Sequence, residues 1–159
     1  MAIGPRPSDV FVALDNDVLN DWRFRKPATV TAITDYISLV KAPPALTSTT
    51  IFEMLHGFEN AAVLAGGMTE RVALDRDYAR NLIRECTMLP FNQEAAEIAA
   101  YIFPRLSQKE RNKLWRDVFI AATALAHEYA VATRNKSDFE LIARYTPPQY
   151  APLRIEVWK

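Results

Sequence analysis

The chain has 159 residues, half of them hydrophobic and 24% charged, a length and balance that one globular domain with a full core accommodates. Nineteen basic residues stand against nineteen acidic ones, so bulk charge argues for no nucleic-acid partner and only a local patch can. The single cysteine, Cys86, excludes an internal disulfide and suits reducing cytoplasm; four glycines (Gly4, Gly57, Gly66, Gly67) cannot build a phosphate loop or a dinucleotide fingerprint.

Residues 1–8, with Pro5 and Pro7, read as a loose leader without a signal-peptide pattern, and no apolar run approaches the roughly 18 residues of a membrane helix. Val10 to Leu14 is a continuous apolar run, as in a strand buried on both faces of a parallel sheet. It stops at Asp15-Asn16-Asp17, where Val18 and Leu19 open a helix. Thr29 to Val40 is expected to be helical, with Val30, Ile33, Ile37 and Val40 on one stripe. Pro43 and Pro44 end it, and Ala45 to Thr47 reads as a second strand. Helices are expected over Thr50 to Leu64, closed by Gly66-Gly67, and over Thr69 to Cys86. Met88 to Phe91 is a short third strand. Asn92 caps a helix carrying Ala95, Ile98, Ala99 and Ile102, interrupted near Pro104.

Val118 to Ala126 holds only one polar side chain, Thr123, and reads as a helix buried on nearly all sides, with Asp117 near its start. His127-Glu128 ends it. Ala130 to Thr133 is a fourth strand, Ser137 a candidate cap for a last turn through Ile142, and Leu153 to Val157 a closing edge strand. Strands alternating with helices predict an α/β fold: one domain over residues 1–159, a mostly parallel sheet of four to five short strands, and helices on both faces.

In such sheets ligands bind beyond the carboxyl ends of the strands. Asp15 ends strand one, Glu53 lies in the helix after strand two, Asp117 precedes strand four and Asp138 follows it. Four acids brought to one end of a sheet would repel one another and hold protons unless a divalent cation neutralised them. An all-oxygen ligand set favours Mg²⁺ or Mn²⁺ over Zn²⁺, and such a cation promotes phosphodiester hydrolysis.

Four blocks of the chain together resemble a PIN domain, most closely the VapC-type toxins of bacterial toxin–antitoxin pairs. They are Leu14 to Leu19, Glu53 with Gly57, Asp117 to Leu125, and Thr133 to Phe139, in order over nearly the whole chain. The resemblance implies a Mg²⁺- or Mn²⁺-dependent endoribonuclease. It places Asp15, Glu53, Asp117 and Asp138 around the metal, with Asn135 as the supporting polar residue and Asn16 as the small polar residue after the first acid. It further implies a homodimer and a VapB-type antitoxin covering the site. Two departures stand out: Asp17 occupies a position that is usually Asn, and His127-Glu128-Tyr129 lacks the usual glycine.

Plainer readings compete for several residues. Glu53 fits a capping box with Thr50, and Asp117 and Asp138 fit favourable acids in the first turn of a helix. His56, alone three residues after Glu53, reads as a surface or core-edge histidine, His127 as the polar end of the buried helix, and Cys86 as a small core residue. Lys109, Arg111, Lys113 and Arg116, with Trp115 among them, form a candidate RNA patch, and Arg23, Arg25 and Lys26 a smaller one; each is also readable as a solvated face. The alternative functions are a non-catalytic PIN-like binding module, a housekeeping RNA-processing nuclease and a phospho-receiver domain. The last would want a lysine where Thr133-Arg134-Asn135 stands.

Overall fold

The computed structural model describes residues 10–158, so the proposed leader lies outside the described residues. The elements run β1 (Val12–Leu14), α1 (Asn16–Arg23), α2 (Pro27–Val40), β2 (Ala45–Thr47), α3 (Ser48–Leu64), α4 (Glu70–Glu85), β3 (Thr87–Leu89), α5 (Gln93–Ile102), α6 (Gln108–Ala126), β4 (Ala130–Thr133), α7 (Lys136–Ala143) and β5 (Ile155–Val157). A 3₁₀ turn, Phe103–Arg105, follows α5 where Pro104 forbids a regular helix. The five strands form one sheet in the order β3-β2-β1-β4-β5, every neighbour parallel, with Ala13 beside both Ala45 and Val131 and with Ala132 beside Glu156. This is the expected α/β fold.

Alternation along the strands sorts the core into two layers. Val12, Leu14, Leu46, Ala130 and Ala132 pack against side chains of α1 to α4, including Leu19, Ile33, Met54 and Ala79. Val131 packs on the other face with Ile98 of α5, Ile120 of α6 and Phe139 and Ile142 of α7. Both faces are covered, which is why the central strands read as unbroken apolar runs rather than alternating ones.

Several boundaries differ from expectation, for local reasons. Helix α2 buries Thr29, Ile33 and Tyr36 rather than Ile37, which is exposed; the Tyr36 hydroxyl accepts from the Val12 amide at 3.0 Å, so an aromatic takes the place read as aliphatic. Helix α6 begins nine residues before Asp117, at a capping box in which Ser107 and Glu110 satisfy each other's amides. Helix α3 is capped by Thr47, whose hydroxyl accepts from the Thr50 amide, so Glu53 is not the acid of a capping box. Helix α7 starts from Asn135, and Ser137 lies inside its first turn instead of capping it. The glycine stop after α3 is as expected: Gly66 takes φ 77° and Gly67 donates to the Ala62 carbonyl at 2.8 Å.

Candidate metal centre

The carboxyl ends of β1 and β4, the second turn of α3 and the middle of α6 bring the four acids to one place. Asp15, 7% exposed, is the N-cap of α1 and accepts from the Asn16 amide at 2.7 Å through Oδ1. Its Oδ2 accepts from the Thr133 hydroxyl at 2.9 Å, which ties the end of β1 to the end of β4. Asn135 caps no backbone amide of α7 through its amide oxygen, which accepts from the Ser137 hydroxyl at 3.4 Å; its side-chain amide donates to Asp138 Oδ2, and its backbone amide donates to Thr133 Oγ1 at 2.9 Å. Lys113 reaches Asp138 Oδ1 at 3.7 Å.

Electrostatics report the convergence. Burial first, then the charge of Asp17 and, more weakly, that of Glu53 push the Asp15 carboxyl up from 3.8 to about 7, against the lowering effect of its hydrogen bonds to Thr133 and Asn16. Asp117 is pushed up to about 8 by burial, followed by Asp15, Glu53, Asp138 and Asp17 in that order. Glu53 is raised mainly by burial, and Arg116 partly offsets this. The charges of the other four acids therefore all register on Asp117, although the set spans residues 15 to 138 of the sequence.

Three buried oxygens at this place, Asn16 Oδ1, Asp17 Oδ1 and Glu53 Oε1, have no hydrogen-bond partner among the described residues. Unpaired buried acceptors are costly, and a hard cation or its water is the partner that oxygens alone would suit. The residues fit such an ion in type and in unmet bonding. Among the described residues no three of His, Cys, Asp and Glu are already gathered around one point, so holding an ion would draw these carboxyls together.

Two residues join the site that the sequence left without a role. Thr133, fully buried, orients Asp15 and the Asn135 turn together. Asp21, one helical turn after Asp17, is 3% exposed and holds Arg134 at 3.0 Å. The four-residue spacing of Asp17 and Asp21 on a helix is the signal that would have found Asp21.

The candidate RNA residues separate. Arg111 donates to the carbonyls of Phe103 and Leu106 and to Gln108, so part of its guanidinium tethers the 3₁₀ turn. Lys109 and Arg116 are exposed, and the Arg116 guanidinium lies 4.8 Å from the centre of the Trp115 ring, which packs edge-on against Phe119. Lys113 faces Asp138 as described. In the smaller cluster Lys26 pairs with Asp21, and Arg23 is held by Asn20 and lies over Phe24 and Phe58. A cavity of about 450 Å³ shares Asn16 and Glu53 with the site and is lined also by Arg23, Phe24 and Arg71. His56 is exposed and stacked on Phe52, and His127 Nε2 lies 3.0 Å from the Pro90 carbonyl, so neither enters the site. Burial pushes the Cys86 thiol up to about 12, as befits a packed residue.

A parallel sheet with buried, mutually repelling carboxylates beyond its strand ends defines an α/β protein with an acidic site at the strand-end crevice. The PIN domain model matches residues 12–145, and the chain belongs to the PIN domain family. No curated protein matches it in sequence. Among solved structures it is similar to VapBC2 from Rickettsia felis bound to a promoter DNA fragment, with 14% identity, 94% of this chain and 100% of that chain covered, and a TM-score of 0.71. DNA-bound VapBC from Salmonella typhimurium gives 21% identity, 94% and 99% coverage and a TM-score of 0.70. FitAcB from Neisseria gonorrhoeae gives 20%, 92% and 96%, and 0.62.

Proposed function

We propose that the chain is a Mg²⁺- or Mn²⁺-dependent endoribonuclease, the toxin of a type II toxin–antitoxin pair acting in the cytoplasm. The observation that carries this reading is the pair of raised carboxyls, Asp15 at about 7 and Asp117 at about 8, beside unpartnered oxygens of Asn16, Asp17 and Glu53. Binding a cation that restores their charge is the use that suits acids kept at such a cost to the fold. Membership of the PIN domain family supports a hydrolase, and likeness in fold to chains from toxin–antitoxin complexes supports the toxin.

Asp15, Glu53 and Asp117 would hold the ion, with Asp138 holding a second one or orienting the attacking water. When bound, a hard divalent cation lowers the pKa of water and offsets charge on the phosphoryl oxygens. The chain's own residues arrange the rest. Thr133 fixes one oxygen of Asp15, and Asn135 fixes one oxygen of Asp138. Arg116, whose charge already reaches Glu53, and Lys109 are exposed cations suited to RNA phosphates. The products would be a 5′-phosphate and a 3′-hydroxyl. A VapB-type antitoxin and a homodimer are the partners this reading carries.

The test is cleavage of a mixed labelled RNA by antitoxin-free protein with Mn²⁺, with chelator, and with Asp15→Asn. Cutting that needs the metal and is lost in the variant is expected. Cutting that survives Asp15→Asn would remove Asp15 from the site, and no cutting of any RNA would favour a binding module.

A further inference from the structure

Asp17 adds a fifth carboxylate to an already crowded set, and the structure meets its charge in an unusual way. Its Oδ2 accepts from the Arg134 backbone amide at 3.1 Å and lies 3.5 Å from the Thr133 hydroxyl, while the Arg134 guanidinium stands 3.9 Å from the same oxygen. Arg134 does not simply hang over the acid. Its Nε is held at 3.0 Å by Oδ2 of Asp21, and the other oxygen of Asp21 is held at 2.8 Å by Lys26. Asp21 is thus a buried acid with a cation on each oxygen, on the same helix face as Asp17. Burying an acid between two cations gains little stability over an apolar packing, so a role in specifying geometry is the better account of its presence.

We propose that Asp21 is a positioning residue acting through Arg134: it pins the guanidinium beside Asp17, so that this fifth acid is locked to the β4–α7 turn and its charge is partly offset before any cation binds. The inference rests on the metal-centre reading above. Arg134 then sets the net charge that the site presents, and Asp17 serves the turn through Oδ2 while only its Oδ1 is left facing inward. Lys26 completes the set by neutralising the second oxygen of Asp21 without touching Asp17. A guanidinium suits this post because its fork can engage two acids while its own backbone amide engages one of them.

The experiment measures Mn²⁺ binding to the whole chain without RNA, by electron paramagnetic resonance of the free ion, together with thermal melts. Arg134 is well exposed, so Arg134→Gln tests charge with little risk to folding. Removing its charge should tighten Mn²⁺ binding on the order of tenfold, while Arg134→Lys, which keeps the charge, should bind as wild type does. Asp21→Asn should shift binding in the same direction as Arg134→Gln, because the guanidinium is then no longer pinned beside Asp17. In the double variant the two shifts should fall well short of multiplying, since Asp21 acts through Arg134. Lys26→Gln, which removes a cation that does not touch Asp17, should shift the affinity far less than Arg134→Gln does. A staple that merely joins α1 to the turn would lower the melting temperature in these variants and leave Mn²⁺ affinity where it was, and that result would overturn the proposal alone. Wild type that binds no Mn²⁺ would overturn the metal-centre reading and this inference with it.

Discussion

Replacing Asp117 by Asn tests the electrostatic core of the site without reference to activity. The folded carboxyl titrates near 8 against 3.8 for an unhindered aspartate, so the folded state binds its proton more tightly than the unfolded state. Stability from that proton is complete below pH 3.8 and is lost as pH rises toward 8. At about 1.36 kcal/mol per tenfold difference in proton affinity, wild type freed of divalent ions would lose about 3–4 kcal/mol between pH 5 and pH 8 if Asp117 titrated alone. Sharing protons with Asp15 reduces this to about 2 kcal/mol, or roughly 4–8 °C in melting temperature for a chain of this size. The Asn variant has no such proton to lose. Its advantage over wild type in chelator should therefore grow by that amount across the same range, read by circular dichroism melts at pH 5, 6, 7 and 8. Adding Mn²⁺ should raise the wild-type melt at pH 8 and leave the variant unmoved. Two melting curves that stay parallel from pH 5 to pH 8 would mean that Asp117 is an ordinary solvated acid and that the carboxylates do not converge.

Because protons and cation compete for the same oxygens, Mn²⁺ affinity should climb between pH 6 and pH 8 and level off above it; a flat profile by calorimetry would count against Asp15 and Asp117 as ligands. Thr133→Val removes the hydroxyl that lowers the Asp15 proton affinity, so that climb should move to higher pH rather than merely shrink. Glu128, at φ 61°, sits where a side chain is strained, so Glu128→Gly should stabilise the fold by about 1 kcal/mol in urea titrations, and a loss of stability would show that its side chain is needed.

The fold was legible because both faces of the sheet are covered: apolar runs such as Val10 to Leu14 and Ala130 to Val131 have one natural home, and Gly66-Gly67 and Asn92 mark helix ends by well-defined backbone chemistry. The acids were legible as residue types at strand ends. What the sequence hid was relational. The sequence reads Arg111 as a phosphate contact and gives no sign that its guanidinium also reaches three oxygens of its own neighbourhood. Asp21, to which the sequence assigned no role, gains one only when Arg134, more than a hundred residues away, is folded onto it. Pairings between distant residues leave no periodic trace, whereas burial and capping do.

The start of α6 carries the largest consequence of this kind. Read as the opening of a helix, Asp117 would be eased by the dipole at that end, but the dipole acts only over the first turn, and here Ser107 and Glu110 occupy it. Asp117 stands two and a half turns further in. The neighbouring cations are directed elsewhere: Lys113 faces Asp138, and the charge of Arg116 registers on Glu53. Every charge that acts on Asp117 is negative. A partly buried acid with neither helix terminus nor counter-ion to relieve it stays protonated near neutral pH unless a cation arrives, which makes the occupancy of this one residue the quantity through which fold stability, pH and the proposed chemistry are linked.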